Sequence, residues 1–258
     1  QRAVIEAARA VGTFLRSLAL DDLAPIEPGQ GVEWGYRFDG LDYTLDEWRE
    51  TLERWVLAKG FQDLARGIRE TLEEAHFYLA MIRFPNGQRA TLREVQETIA
   101  QARAQAARPK FPDLMAQVNE GLTSPLNFST HFVTLQNVRN CLEHRGGIVG
   151  QRDADPSTRE LVLTFPRLSM FYMRGDEEVE LRVGEVIDNH APDAPFPPGE
   201  QVQILQRITD RRRVYQLGER VVITSTDFHE AAMACHFFAT DLVTKLPGLP
   251  TIAEEGGS

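Results

Sequence analysis

Apolar residues recur at helical spacing through most of the first 145 residues, then at every second position through much of the remainder. Over residues 3–20, Val4, Ala7, Ala8, Val11, Phe14, Leu15 and Leu18 share one helical face. Prolines and glycines break the pattern over 21–43, which reads as a loop with a short turn around Trp34–Tyr36. Thr44-Leu45-Asp46-Glu47 has the form of a capping box and opens a helix through about Ala58. After Gly60 a second helix is expected to about Phe84, with Phe61, Leu64, Ile68, Leu72, Ala75 and Leu79 on one stripe. Pro85-Asn86-Gly87 reads as a turn, and Thr91-Leu92-Arg93-Glu94 as a second capping box opening a helix to about Ala107. A short helix is expected at 112–121. Another begins between Ser124 and Ser129, turns Phe132, Leu135, Val138 and Leu142 or Cys141 inward, and ends at Gly146 as a left-handed cap.

Period-two alternation then takes over between 158 and 224. Leu161, Leu163 and Phe165 face one way, as do Val179, Leu181 and Val183, with Glu178, Glu180 and Arg182 opposed to the latter. Leu168–Met173, Gln201–Ile208, Arg213–Leu217 and Arg220–Thr224 complete a set of short strands, interrupted by a proline-rich loop at Ala191–Pro198. Asp176-Glu177-Glu178 reads as a hairpin tip. Asp227-Phe228-His229-Glu230 caps a last helix through about Leu246, and the tail beyond it is too rich in Pro, Gly and Glu to fold. The pattern therefore predicts a mainly α protein of α+β class: a helical bundle (1–150 and 226–246) with a small antiparallel β-sheet (158–225) inserted before the last helix. The last helix needs the earlier ones to bury its Phe237/Phe238 stripe, so the 258 residues are expected to form one composite domain.

Composition narrows the function classes. No apolar run approaches membrane-spanning length, no leader segment is evident, and the two cysteines, Cys141 and Cys235, read as small core residues suited to a reducing cytoplasm. A net charge of −10 argues against a broad nucleic-acid-coating surface, while leaving room for a local arginine cluster that grips one or two phosphates. Only Lys59, Lys110 and Lys245 among the basic residues are lysines, a bias typical of GC-rich coding sequence.

Candidate chemistry gathers in Val138-Arg139-Asn140-Cys141-Leu142-Glu143-His144-Arg145-Gly146-Gly147, at the end of one helix. Histidine is the side chain best suited to moving protons near neutral pH, and arginine presents a planar fork matched to phosphate oxygens. Asn140 lies one turn before His144 and shares its face, whereas Arg139 stands about 140° round the helix from His144. Those two converge on one phosphate only through side-chain length or a second subunit. The plainer alternative is that His144 serves the helix terminus and Arg139 pairs with a carboxylate such as Glu143. Other features read as structural: His229 and His236, seven apart with no third ligand; the Arg211-Arg212-Arg213 run, able to track RNA but more often a solvated turn; and Trp48 and Trp55, as core or dimer contacts.

The order Arg139-Asn140, three further residues, then His144, on a late helix of an α-bundle, resembles the HEPN superfamily, the "higher eukaryotes and prokaryotes nucleotide-binding" domains. The resemblance implies a homodimer that brings two such motifs together, and a metal-independent endoribonuclease of toxin–antitoxin or phage-defence type. It makes Arg139, Asn140 and His144 the catalytic residues, with Arg145 as a substrate-binding neighbour. It implies no metal and no cofactor, RNA as substrate, and an antitoxin or defence-system protein as a possible further partner. The same resemblance also covers catalytically inactive members that bind nucleotide or RNA or serve in assembly.

Overall fold

The computed structural model describes residues 11, 14–15, 44–83, 90–181, 185 and 203–248. The expected features at Trp34–Tyr36, Phe84, Pro85-Asn86-Gly87, Arg182, Val183, Ala191–Pro198 and the C-terminal tail lie outside those residues, as does most of the 3–20 helix, of which Val11, Phe14 and Leu15 are helical. The described elements run α1 (Leu45–Ile82), α2 (Leu92–Ala107), α3 (Phe111–Gly121), α4 (Ser129–His144), β1 (Glu160–Arg174), β2 (Glu177–Leu181), β3 (Leu205–Gln216) and α5 (Ser225–Lys245). The protein is thus mostly helical with a small antiparallel sheet of order β2-β1-β3.

Helix α1 is continuous through Gly60, where the sequence suggested two helices. The glycine is a packing device rather than a break. A Cβ at that position would lie 2.6 Å from Val11 Cγ2 and 2.8 Å from Phe228 Cε2, so its absence lets neighbouring side chains approach the α1 backbone. The helical cost of a mid-helix glycine, about 1 kcal/mol, is offset by that close approach. Both predicted capping boxes are formed, Thr44 with Glu47 and Thr91 with Glu94. The last helix starts earlier than expected: Thr224 is its N-cap and Asp227 is the reciprocating N3 residue. The helix bearing the motif begins at Ser129, after Phe128 in a left-handed conformation (φ 56°).

The sheet is simpler than the alternating pattern suggested. Two predicted strands merge into β1, and two more merge into β3, paired antiparallel from Glu160↔Gln216 to Phe171↔Leu205. The Arg220–Thr224 segment joins no strand and makes only the isolated bridge Ile148↔Arg220. The hairpin tip is Gly175-Asp176, with Glu177 and Glu178 already in β2.

Pro166 sits in the interior of β1, where a proline is ordinarily excluded. Two residues earlier, the Thr164 N–H donates to Thr134 Oγ1 and the Thr164 carbonyl accepts from the same hydroxyl. Alternate residues of a strand direct their N–H and C=O to the same side, so the missing N–H of Pro166 also faces α4, away from β3. No ladder bond is lost.

Leu161, Leu163, Phe165 and Tyr215 of the sheet join Phe61, Leu64, Ile68, Phe132, Leu135, Phe228 and Phe238 of the helices in one hydrophobic cluster. The Phe132 and Phe238 rings meet at 4.6 Å between centroids. Trp48 and Trp55 lie outside this core, with Trp55 58% exposed. No helix among the described residues is long and apolar enough to cross a membrane.

Candidate active site at the end of α4

Phe132, Leu135, Val138 and Cys141 form the buried stripe of α4, which settles the inward position on Cys141 rather than Leu142. Burial pushes the Cys141 thiol up to about 11, so it stays protonated and unreactive at neutral pH. That stripe fixes the rotation of the helix and hence where each motif residue projects. The helix terminates as the double glycine demands: Gly146 and Gly147 take φ values of 60° and 77°, and the Arg145 and Gly147 N–H groups both donate to the Cys141 carbonyl.

Arg139 is partly buried. Its guanidinium forms an ion pair with Glu143 one turn on, and its Nη1 donates to Asn140 Oδ1 at 3.1 Å. Its Nε is buried with no acceptor among the described residues. Asn140 thereby holds the arginine through its oxygen, and its own amide N–H₂ has no acceptor among the described residues. His144, the final residue of α4, is exposed and makes no hydrogen bond or ion pair to any described residue. Arg145 is committed differently: its Nε donates to Asp153 Oδ2 at 2.6 Å and its Nη2 pairs with Asp153 Oδ1, making a two-pronged bond to an almost fully buried carboxylate. Asp153 also accepts from the Gly150 N–H, so this pair fixes the loop that follows the helix.

The structure therefore brings Arg139 to Asn140, and Asn140 to the face of His144. Arg139 is held by Glu143 on another side of the helix from His144. Beside them lies a cleft of about 390 Å³ between α4, the loop at 150–155 and the open edge of β1. Asn140 and Arg145 line it together with Thr134, Asn137, Arg152 and Val162. The sequence reading missed this cleft. Asn137 could have been found, since it stands three residues before Asn140 on adjoining helical faces, but nothing in the sequence announces the β1 edge opposite.

The remaining candidates fall elsewhere. Arg211 and Arg213 do not form a solvated turn: they lie in β3 and converge on Asp227, whose side chain is 0% exposed. Burial alone would raise the Asp227 carboxyl, but hydrogen bonds from Thr224, Arg213 and Arg211 together hold it below the usual range. His229 Nδ1 lies 2.7 Å from the Ser225 carbonyl oxygen in the first turn of α5, and His236 is exposed further along it. Among the described residues, no three His, Cys, Asp or Glu side chains gather as a metal site.

Comparisons of the chain with protein-family models, curated proteins and solved structures return no match.

Proposed function

We propose that the protein is a metal-independent endoribonuclease of HEPN type, acting as a homodimer in the cytoplasm with a composite Arg139/Asn140/His144 site. The observation that carries this reading is His144 at a helix end, without a partner among the described residues and one turn beyond an asparagine that orients an arginine. RNA brings its own nucleophile, the 2′-hydroxyl beside the scissile phosphate. Cleavage then needs a base for that proton, an acid for the leaving 5′-oxygen, and positive charge on the five-coordinate phosphorus intermediate. His144 of one subunit accepts the 2′-hydroxyl proton, and its copy in the second subunit gives a proton to the leaving 5′-oxygen. Arg139 meets the phosphate from the second subunit, since within one helix it stands about 140° round from His144 and would share a phosphate with it only through side-chain length. Asn140 steers the Arg139 fork, and Arg145 fixes the start of the post-helix loop while presenting its remaining N–H groups to the substrate. Phage defence or a toxin role, with an antitoxin or other defence protein as partner, fits a self-contained RNA-cutting site.

A second reading is favoured by one specific contact. The Arg139 guanidinium is already neutralised by Glu143, as a non-cutting RNA-binding or assembly protein of the same type would have it.

Incubation of the purified protein with structured and single-stranded RNA separates the two. The endoribonuclease yields products ending in 2′,3′-cyclic phosphate, is insensitive to EDTA, and loses cleavage by at least about 100-fold in both His144→Ala and Arg139→Ala. Cutting that persists in His144→Ala overturns it, and binding without turnover selects the second reading.

A further inference from the structure

The cleft beside the motif has an unusual floor. Along the β1 edge facing α4, Glu160, Val162 and Thr164 all direct their main-chain groups away from β3. The Thr164 N–H and carbonyl are both taken by Thr134 Oγ1, and the Glu160 carbonyl accepts from the Asp155 N–H at 2.8 Å. Between them, the N–H and carbonyl of Val162 have no partner among the described residues, and both open into the cleft. Across from them stands Asn137, exposed and with no hydrogen bond to any described residue.

An unsatisfied donor–acceptor pair on a strand edge ordinarily invites a further strand. Here Thr164 on one side and the Glu160 carbonyl on the other are occupied, so no peptide can continue the ladder past Val162. A planar group with an adjacent donor and acceptor needs only that single pair. Charge points the same way. Arg145 is matched by Asp153, Asp155 accepts from the Ser157 and Thr158 N–H groups, and Glu160 accepts from Gln216 Nε2. The Ser157, Thr158 and Gln216 donors are neutral, so Asp155 and Glu160 keep their charge and the interior repels an anion but takes a neutral group, while Arg152 at the margin carries a charge with no carboxylate partner among the described residues. The volume lies within the range of small-molecule sites, about 300–1,000 Å³.

We propose that the inserted sheet gives this protein a nucleobase-reading subsite. The base edge bonds to the Val162 N–H and carbonyl, the Asn137 amide contacts the base from the helix side, and Arg152 meets the attached phosphate. This deepens the RNA reading above and rests on it for the choice of a nucleotide as ligand. A base held there places its ribose at the end of α4, where Asn140 and His144 stand.

The test is calorimetric titration of the full chain with AMP, CMP, GMP, UMP and ribose 5-phosphate. At least one nucleotide should bind about tenfold or more tighter than ribose 5-phosphate, as a lost bidentate base contact implies. That preference should vanish in Asn137→Ala, whose side chain supports nothing else, and in Val162→Pro, which deletes the open N–H on the same edge that already tolerates Pro166. Should Val162→Pro fail to fold, Asn137→Ala decides. Equal binding of ribose 5-phosphate, no nucleotide binding at millimolar concentration, or an undiminished base preference in Asn137→Ala overturns the proposal. RNA cleavage without base-dependent nucleotide binding sinks this subsite and spares the endoribonuclease; base-dependent binding without any cleavage does the reverse.

Discussion

Two of the meetings between arginine and carboxylate in this protein differ in kind. At the start of α5, Arg211 and Arg213 close on Asp227, which is fully buried and also reciprocates the Thr224 cap. At the end of α4, Arg139 meets Glu143 near the surface, and neither its Nε nor the neighbouring exposed histidine has a partner among the described residues. The first cluster joins the sheet to the last helix and its Asp227 carboxylate is saturated with hydrogen bonds. The second has spare donors and spare access. Residue type alone does not distinguish a structural lock from a candidate site; burial and hydrogen-bond saturation do.

The largest expected effect is on the lock. Asp227→Ala leaves Arg213 without its ion-pair partner and Arg211 with only Glu230 at 3.5 Å, and removes half a capping box, so it should cost about 3 kcal/mol in urea unfolding. A cost under about 1 kcal/mol would mean that the cluster is incidental. At the other end, His144→Ala should change stability by less than about 0.5 kcal/mol while removing RNA cleavage. A large stability loss there would turn the histidine into another structural residue and erase the contrast.

Gly60→Ala probes the ground between them, since α1 must accept Val11 and Phe228 against its backbone. Overpacking should lower stability by about 1–3 kcal/mol, even though alanine is the better helix former. A stabilised variant would show that the contact yields freely. The lock should also weaken in acid. Because the Asp227 carboxyl is held below its ordinary value, its contribution is complete above the unfolded carboxylate pKa, about 3.9, and is lost as the pH falls through the folded value. Asp227→Asn should therefore be less stable than the parent at pH 6, with the gap narrowing toward pH 2. A gap that stays constant with pH would mean that the carboxylate's charge contributes nothing.

How much of this was legible in advance depends on the range of the interaction. Thr44/Glu47 and Thr91/Glu94 were readable because a capping box is a contact between residues three apart. The Gly146 stop, the buried stripe of α4, and the alternation of Leu161, Leu163 and Phe165 were readable for the same reason. Gly60 was misread because its local meaning, a helix breaker, is overridden by Phe228, distant in sequence. The Arg211–Arg213 run was misread because the partner that makes it structural is on another element. The motif residues could be named from order alone, but Glu143 could be suspected of pairing with Arg139 only as one of several outcomes. The cleft opposite Asn137 could not be read at all, because a strand edge becomes a ligand surface only once the fold decides which of its groups are already taken.

The sequence by itself determined the helical and alternating segments, most of their ends, and the chemical inventory at the end of α4, since each follows from contacts within a few residues. Tertiary structure decided which arginines are spent on internal carboxylates, that α1 runs unbroken, and that the Val162 main chain meets no partner among the described residues beside Asn137. Those outcomes depend on the competition for hydrogen-bond partners between elements far apart in the chain, which local pattern does not encode.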